Sequence, residues 1–382
     1  MVERAGACVR GCHTLIPMDK TNARWAAVVA GAIGVFGVPE MAVAWDAHGH
    51  RVVTYLALDE AAKGGTMPAW LNDAATRQRI AYQSAEPDRW RGQPTSALKH
   101  ENAPDHYLDI EDLEPYGLTL ETLPRLRYRY VAAMAATKAA HPERWSSYQA
   151  EKDVNGEWEW PGFVPYAIME HYGKLQSSFR TLRTIEALNE SGREVQAEQA
   201  RANVIYHMGV LSHFVGDTAQ PLHTTRHYNG WVGENPNGYT VSKQFHAYID
   251  GGVVSLHQIT YESLCARSKP ERPVDAADPW PAILDHLRRS FVHFEDLYRM
   301  QKDGSLDGPP GKSLIEERLI DGGAMLGAMY RAAWESSVPE DAELKRFGQW
   351  TPAAAAPEPA AGQPAGAAPA QPAGRNGVPF GP

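Results

Sequence analysis

Residues 204–223 read Val204-Ile-Tyr-His-Met-Gly-Val-Leu-Ser-His213-Phe-Val-Gly-Asp217-Thr-Ala-Gln-Pro221-Leu-His223. Val204, Ile205, Met208, Leu211, Phe214 and Val215 recur at three- and four-residue spacing, which lines one face of an α-helix. Pro221 has no N–H to donate and its ring crowds the preceding turn, so the helix stops before it. His213 and Asp217 are four apart and share a face, while His223 stands just beyond the stop, free to turn back to the same centre. Imidazole and carboxylate converging in this way suit Zn²⁺, which takes N and O ligands at about 2.0–2.2 Å. A capped helix with an ordinary i,i+4 ion pair is the other reading of this segment taken alone.

The same period runs outward along the chain. Val52, Val53, Leu56 and Ala57 follow His50, and Ile283, Leu287, Phe291, Phe294 and Leu297 make a further stripe. Leu319, Met325, Leu326, Met329 and Trp334 make another, and the stretches 125–140 and 169–188 fit the pattern too. Period-2 alternation is nearly absent, so the expected fold is all-α, a single helical-bundle domain over 45–350 wrapped around a centre. Long polar loops are expected at 141–163, 224–243 and 300–312. No internal repeat is visible. Residues 351–382 are almost wholly Ala, Pro, Gly and Gln, a composition that cannot bury apolar surface and reads as a disordered tail or flexible arm.

Of 382 residues, 37 are basic and 46 acidic, a net of −9. Proteins that hold nucleic acid by neutralising phosphates are usually basic, so here bound cations would have to supply positive charge to any phosphate ester. Hydrophobic content of 43% with eleven Trp and sixteen Tyr excludes a disordered chain. No apolar run approaches the roughly 20 residues of a membrane span, so no stable membrane insertion is expected of the mature chain.

Residues 1–44 read as a signal peptide whose true start is Met18. Lys20 and Arg24 form the positive region, Trp25–Val38 the apolar stretch, and Ala42-Val-Ala44 an A-x-A cleavage site. Cleavage after Ala44 leaves Trp45 as the mature N-terminus and predicts export to the periplasm or beyond. Cys8 and Cys12 precede the cut, so only Cys265 remains and no intramolecular disulfide is possible. An exported domain without disulfides must be held by its core or by metal.

Other chemistry-bearing groups follow the first. His246-Ala-Tyr-Ile-Asp250 repeats the His-x-x-x-Asp spacing. Asp105-His106-Tyr107-Leu108-Asp109 sits after Pro104 where a loop can aim it inward, and Glu86-Pro87-Asp88-Arg89 offers a carboxylate on a turn.

Together, Trp45-Asp-Ala-His-Gly-His50 after a signal peptide, Asp88, His106, His213-x3-Asp217-x5-His223 and His246-x3-Asp250 resemble the S1/P1 nuclease and zinc-dependent phospholipase C superfamily. The resemblance runs from Trp45 to about Ser337, with Gly322–Trp334 similar to that family's closing helix. It implies an all-α fold around a trinuclear zinc cluster. One zinc would take Asp88, His106, His213 and Asp217, and a second His223, His246 and Asp250. The third would take the amino group and carbonyl of Trp45 with His50, sharing Asp217 as a bridge. It further implies hydrolysis of phosphate esters by a zinc-held hydroxide, with Asp109 as the candidate catalytic residue that orients the attacking water; an acceptor that fixes His106 is the other reading of Asp109.

Among substrates, single-stranded DNA or RNA comes first, with 3′-nucleotidase activity as an accompaniment. His246-x3-Asp250 resembles the nuclease form, whereas the phospholipases tend to carry Glu at the last position. Tyr107 falls where the nucleases place an aromatic suited to stacking a base. The chain departs from the nucleases in lacking their Gly-Gly-Asn stretch after His223, and Asn229 or Asn237 is the substitute in the 224–243 loop. Its segment between His106 and His213 is longer than in the fungal nucleases. Arg89 and Arg91 are candidates for binding phosphate. Phospholipid is the alternative substrate, with Trp231 as the docking residue, and a non-catalytic exported metal-binding protein is the second alternative. No protein partner is inferred.

Overall fold

A computed structural model describes residues 45–267 and 272–350, so the expected signal segment 1–44 and the tail 351–382 lie outside the described residues. The helices are α1 (Ala47–Ala62), α2 (Ala74–Gln83), α3 (Glu86–Arg91), α4 (Ser96–Asn102), α5 (Arg127–Ala140), α6 (Val164–Leu188) and α7 (Glu194–Ala219). They continue as α8 (Phe245–Ala247), α9 (Val253–Leu256), α10 (Tyr261–Leu264), α11 (Trp280–Phe291), α12 (Phe294–Asp303), α13 (Pro309–Glu335) and α14 (Asp341–Trp350). The domain is all-α. Two isolated bridges, Leu108 with Gly162 and Tyr228 with Gly230, are the only β-type pairings among the described residues.

The stripe of α7 is what the bundle closes on. Val204, Met208, Leu211 and Val215 are fully buried and Phe214 nearly so. Each such side chain contributes about 1.5–3 kcal/mol by leaving water. α6 packs along α7, and α13 packs against both α7 and α1. The close approach of α13 to α1 depends on small residues, since a Cβ at Gly323 would lie 2.6 Å from that of Leu56. The helix ends at Ala219, ahead of Pro221, and residues Pro221–Thr224 turn as one 3-10 segment that carries His223 inward.

Three sequence expectations are corrected. The stripe from Ile283 to Leu297 is two helices, because the chain breaks at Val292-His293, where Val292 points to solvent. The stretch 300–312 is mostly helical. Gly304 takes a left-handed cap (φ 81°) that ends α12, and Pro309 and Pro310 open α13, where a missing N–H costs nothing. The Glu86–Arg89 turn belongs to a short helix, α3, with Pro87 in its first turn. No described helix is long and apolar enough to cross a membrane.

Candidate metal centre

The ends of α1, α3 and α7, the 103–106 turn, the 221–224 turn and α8 with its π-helical continuation (Tyr248–Gly252) meet at one buried point. Three sets of ligand atoms there lie within 4.8 Å of one another: His50, His213 and Asp217; Asp88, His106 and His213; His223, His246 and Asp250. All are buried except Asp88, which is half-buried.

Asp217 joins the first two sets. Its Oδ1 is 3.4 Å from His50 Nε2, and its Oδ2 is 3.0 Å from His106 Nδ1 and 3.4 Å from His213 Nε2. The two oxygens thus face different imidazole groups, as a bridging carboxylate must. His50 stacks on His213 at 4.1 Å between ring centres. It reaches this depth because Gly216 has no side chain, a Cβ there lying 2.9 Å from His50 Nδ1. In the third set His246 Nε2 is 3.1 Å from Asp250 Oδ2 and 3.0 Å from His223 Nε2.

Main-chain carbonyls decide which ring nitrogen carries hydrogen. His223 Nδ1 donates to His106 O at 2.7 Å and His246 Nδ1 to Tyr228 O at 3.1 Å, because a carbonyl can only accept. Both Nε2 atoms are thereby turned toward each other across 3.0 Å, with His246 Nε2 also facing Asp250. Two imidazole nitrogens so placed need a proton or a metal cation between them. His213 is fixed the same way by Ser84 O at 2.7 Å, which leaves its Nε2 toward Asp217 and 4.0 Å from Asp88. Such carbonyl support is the usual partner of a metal-binding histidine. Gln220 adds to it, donating to Asp250 Oδ1 at 2.7 Å.

Charge tells the same story. Burial, with the neighbouring rings, holds His50, His106 and His223 well below the ordinary imidazole range and brings His213 down to about 3. The rings are neutral, which is the form that binds metal. Burial also pushes Asp217 far up, with Asp88 and Asp250 adding repulsion, and raises Asp88 and Asp250. His50 Nδ1 and Nε2, His106 Nε2, Asp217 Oδ1 and Asp250 Oδ2 are buried with no hydrogen-bond partner among the described residues. A set of neutral imidazoles and unsatisfied carboxyls of this kind could hold metal ions, whose positive charge would meet both needs.

The remaining expected residues fall around this centre. The Trp45 indole is fully buried and donates to Gly216 O at 3.0 Å, anchoring the start of the described chain beside Asp217. Arg91, itself buried, pairs with Asp88 at 3.0 Å. Arg89 is spent elsewhere, pairing with Glu86 and lying 4.2 Å over the Tyr82 ring. Tyr107 donates its hydroxyl to Glu157 O at 2.7 Å. The Leu108 N–H bonds to His223 O at 2.9 Å, tying Asp109 close by; burial and then Asp112 and Glu111 push the Asp109 carboxyl well up. Asn229 accepts the His246 N–H at 3.2 Å and so supports a ligand, whereas Asn237 is tied to Glu295 on α12. Trp231 stacks on His227 at 3.9 Å inside an aromatic cluster with Phe294 and Tyr298, so it is a packing residue.

The supporting groups Ser84, Gln220 and the carbonyls of His106 and Tyr228 were not singled out in the sequence. Tyr228 itself is 40% exposed and touches the His246 ring edge-on at 5.9 Å. No protein-family model matches the chain, and no curated protein matches it.

Proposed function

We propose that this chain is an exported zinc-dependent phosphodiesterase that hydrolyses single-stranded nucleic acid, with 3′-nucleotidase activity as a companion. The facing Nε2 atoms of His223 and His246, beside a carboxylate shared between two other ligand sets, carry the reading. They supply N/O sites for up to three ions, in the order along the chain that resembles the S1/P1 nuclease and zinc-dependent phospholipase C superfamily.

Bound there, zinc would supply Lewis acidity and a nucleophilic water at neutral pH. The chain does the rest. The carbonyls of Ser84, His106 and Tyr228 hold His213, His223 and His246 with one nitrogen turned inward. Arg91, beside Asp88, brings a fixed positive charge to the rim of the centre, where it stabilises charge on phosphate oxygens. Asp109, three residues after His106 and tied to the centre through the Leu108 N–H on His223 O, is the group that would orient the attacking water. Water attacks phosphorus as the bond to the leaving oxygen breaks, and that oxygen takes up a proton.

Two observations support the substrate assignment. The last residue of the third set is Asp250, where the phospholipases of the resembling superfamily tend to carry Glu, and Trp231, the aromatic expected to dock on lipid, is half-buried against His227, Phe294 and Tyr298. The test offers the purified protein single-stranded DNA and phosphatidylcholine in parallel, with and without a zinc chelator. Chelator-sensitive DNA cleavage is expected. Cleavage of lipid alone would transfer the site to a phospholipase C, and neither activity in zinc-loaded protein would leave a metal-binding protein without this chemistry.

A further inference from the structure

Tyr228 stands with its ring at once against the metal centre and in solvent. The ring meets the His246 imidazole edge-on at 5.9 Å, with 74° between the planes, and keeps 40% of its surface exposed. His246 belongs to the third ligand set, so Tyr228 marks a side on which that set opens to solvent. Its carbonyl takes the His246 Nδ1–H, whereas its hydroxyl makes no hydrogen bond among the described residues. The hydroxyls of Tyr107, Tyr298 and Tyr330, by contrast, all donate to main-chain oxygens.

The ring is held in place from its own backbone. Tyr228 O accepts from His246 Nδ1 at 3.1 Å and Asn229 Oδ1 accepts the His246 N–H at 3.2 Å, so two successive residues clamp the same histidine. Before them, the Tyr298 hydroxyl donates to His227 O. After them, Gly230 (φ 89°) packs on the Val241 main chain, where a Cβ would lie 2.6 Å from Val241 C, and the Trp231 N–H bonds to Thr240 O at 2.8 Å. The phenol therefore needs little ordering before a ligand arrives.

The charge around it is balanced. Burial pushes the Tyr228 phenol up, Asp109 adds to the push and Arg91 opposes it, which puts the hydroxyl within electrostatic reach of both groups. Asp109 and Arg91 offset each other there, so an anion meets no net repulsion from the pair. From this placement we propose that Tyr228 is a substrate-binding residue whose hydroxyl donates to a non-bridging oxygen of the phosphate group held at the metal centre; the proposal rests on the phosphodiesterase reading above. A phosphate oxygen can only accept, and a hydrogen bond to it is charge-assisted. Arg91 on α3 and Tyr228 in the 224–243 loop then give the phosphate two fixed donors from separate parts of the chain.

The test compares the wild type with Tyr228→Phe, which keeps the ring against His246 and removes only the hydroxyl. Inorganic phosphate is titrated into the zinc-loaded protein by calorimetry, zinc affinity is measured on the metal-free protein, and turnover is read on bis(4-nitrophenyl) phosphate. Tyr228→Phe should weaken phosphate binding by about tenfold and lower kcat/KM on the diester by a similar factor, with zinc affinity and melting temperature unchanged. Phosphate binding equal to that of the wild type overturns the assignment and leaves the ring alone as the functional part. Failure of the wild type to bind phosphate overturns it as well. So does a loss of zinc affinity in Tyr228→Phe that matches the loss of phosphate binding, because the hydroxyl would then act on the ligands rather than on the substrate. A wild type that binds phosphate but turns over no diester would sink the phosphodiesterase reading instead, and the phosphate titration would still decide Tyr228.

Discussion

Asp217 on α7 and Asp321 on α13 are both fully buried, and each lies beside histidine, yet their surroundings are opposite. Around Asp321 the chain places Arg272 in an ion pair, His286 Nδ1 at 3.4 Å and Arg318 at 3.5 Å. Burial alone would raise that carboxyl; His286, Arg318 and Arg272 more than reverse it and hold it below the usual range. Around Asp217 stand neutral imidazoles and further carboxyls, and only Arg91 opposes the upward push. One buried acid carries its counter-ions in the chain. The other lacks them, and that difference separates a structural ion-pair hub from a candidate metal centre.

The sharpest way to break the comparison is to neutralise each acid in turn. Asp217→Asn removes the carboxylate shared by two ligand sets, so activity should fall at least a thousandfold and bound metal should drop, in assays and elemental analysis of one preparation. A fully active Asp217→Asn protein would sink the assignment. Asp321→Asn should leave metal content intact and instead cost about 3–5 kcal/mol in denaturant unfolding, because arginines are left buried without their partner. Loss of metal in that variant would erase the distinction.

A smaller effect sharpens it. The Gln220 side chain donates to Asp250, accepts the Leu222 N–H and touches no ligand of the other sets in the hydrogen bonds described, so Gln220→Leu should weaken metal at the His223 set by about ten- to a hundredfold. Equilibrium zinc titration would show this as one weakened class of site, and a uniform loss would contradict it. Smaller still is the effect of pH on affinity. Burial raises the carboxyls of Asp217, Asp88 and Asp250, Asp217 most of all, so metal competes with protons there, whereas the lowered imidazoles offer little such competition. Binding should therefore release protons, and affinity should fall about tenfold per pH unit for each proton displaced as pH drops. Calorimetry in buffers of different ionisation enthalpy reads the number released, and zero would be inconsistent with these shifts.

Much of this contrast was legible in sequence. The 204–223 stretch has no Lys or Arg, so its buried acid could not be paired locally, whereas Arg318 precedes Asp321 by three residues on the same helix. The apolar stripe of α7 and the stop at Pro221 are local rules, and they placed His213, Asp217 and His223 at one centre. His246 and Asp250 were legible as a pair but not in their backbone, which widens to a π-turn over Tyr248–Gly252 while keeping the 3.1 Å contact. The carbonyls of Ser84 and Tyr228 were not legible, because a main-chain group looks the same at every position until the fold brings it to a ring. Trp231, plausible as a docking residue by residue type, instead found aromatic partners on α12.

The central claim is that metal ions supply the charge that the chain withholds from Asp217 and its imidazoles. Elemental analysis of the purified wild-type protein, before and after dialysis against a strong chelator and with thermal unfolding recorded on both samples, tests it most directly. The account predicts up to three zinc ions per chain, one for each ligand set, and a clear fall in melting temperature on their removal. Protein that carries no stoichiometric metal, takes none up from zinc-containing buffer, and melts unchanged after chelation would contradict it.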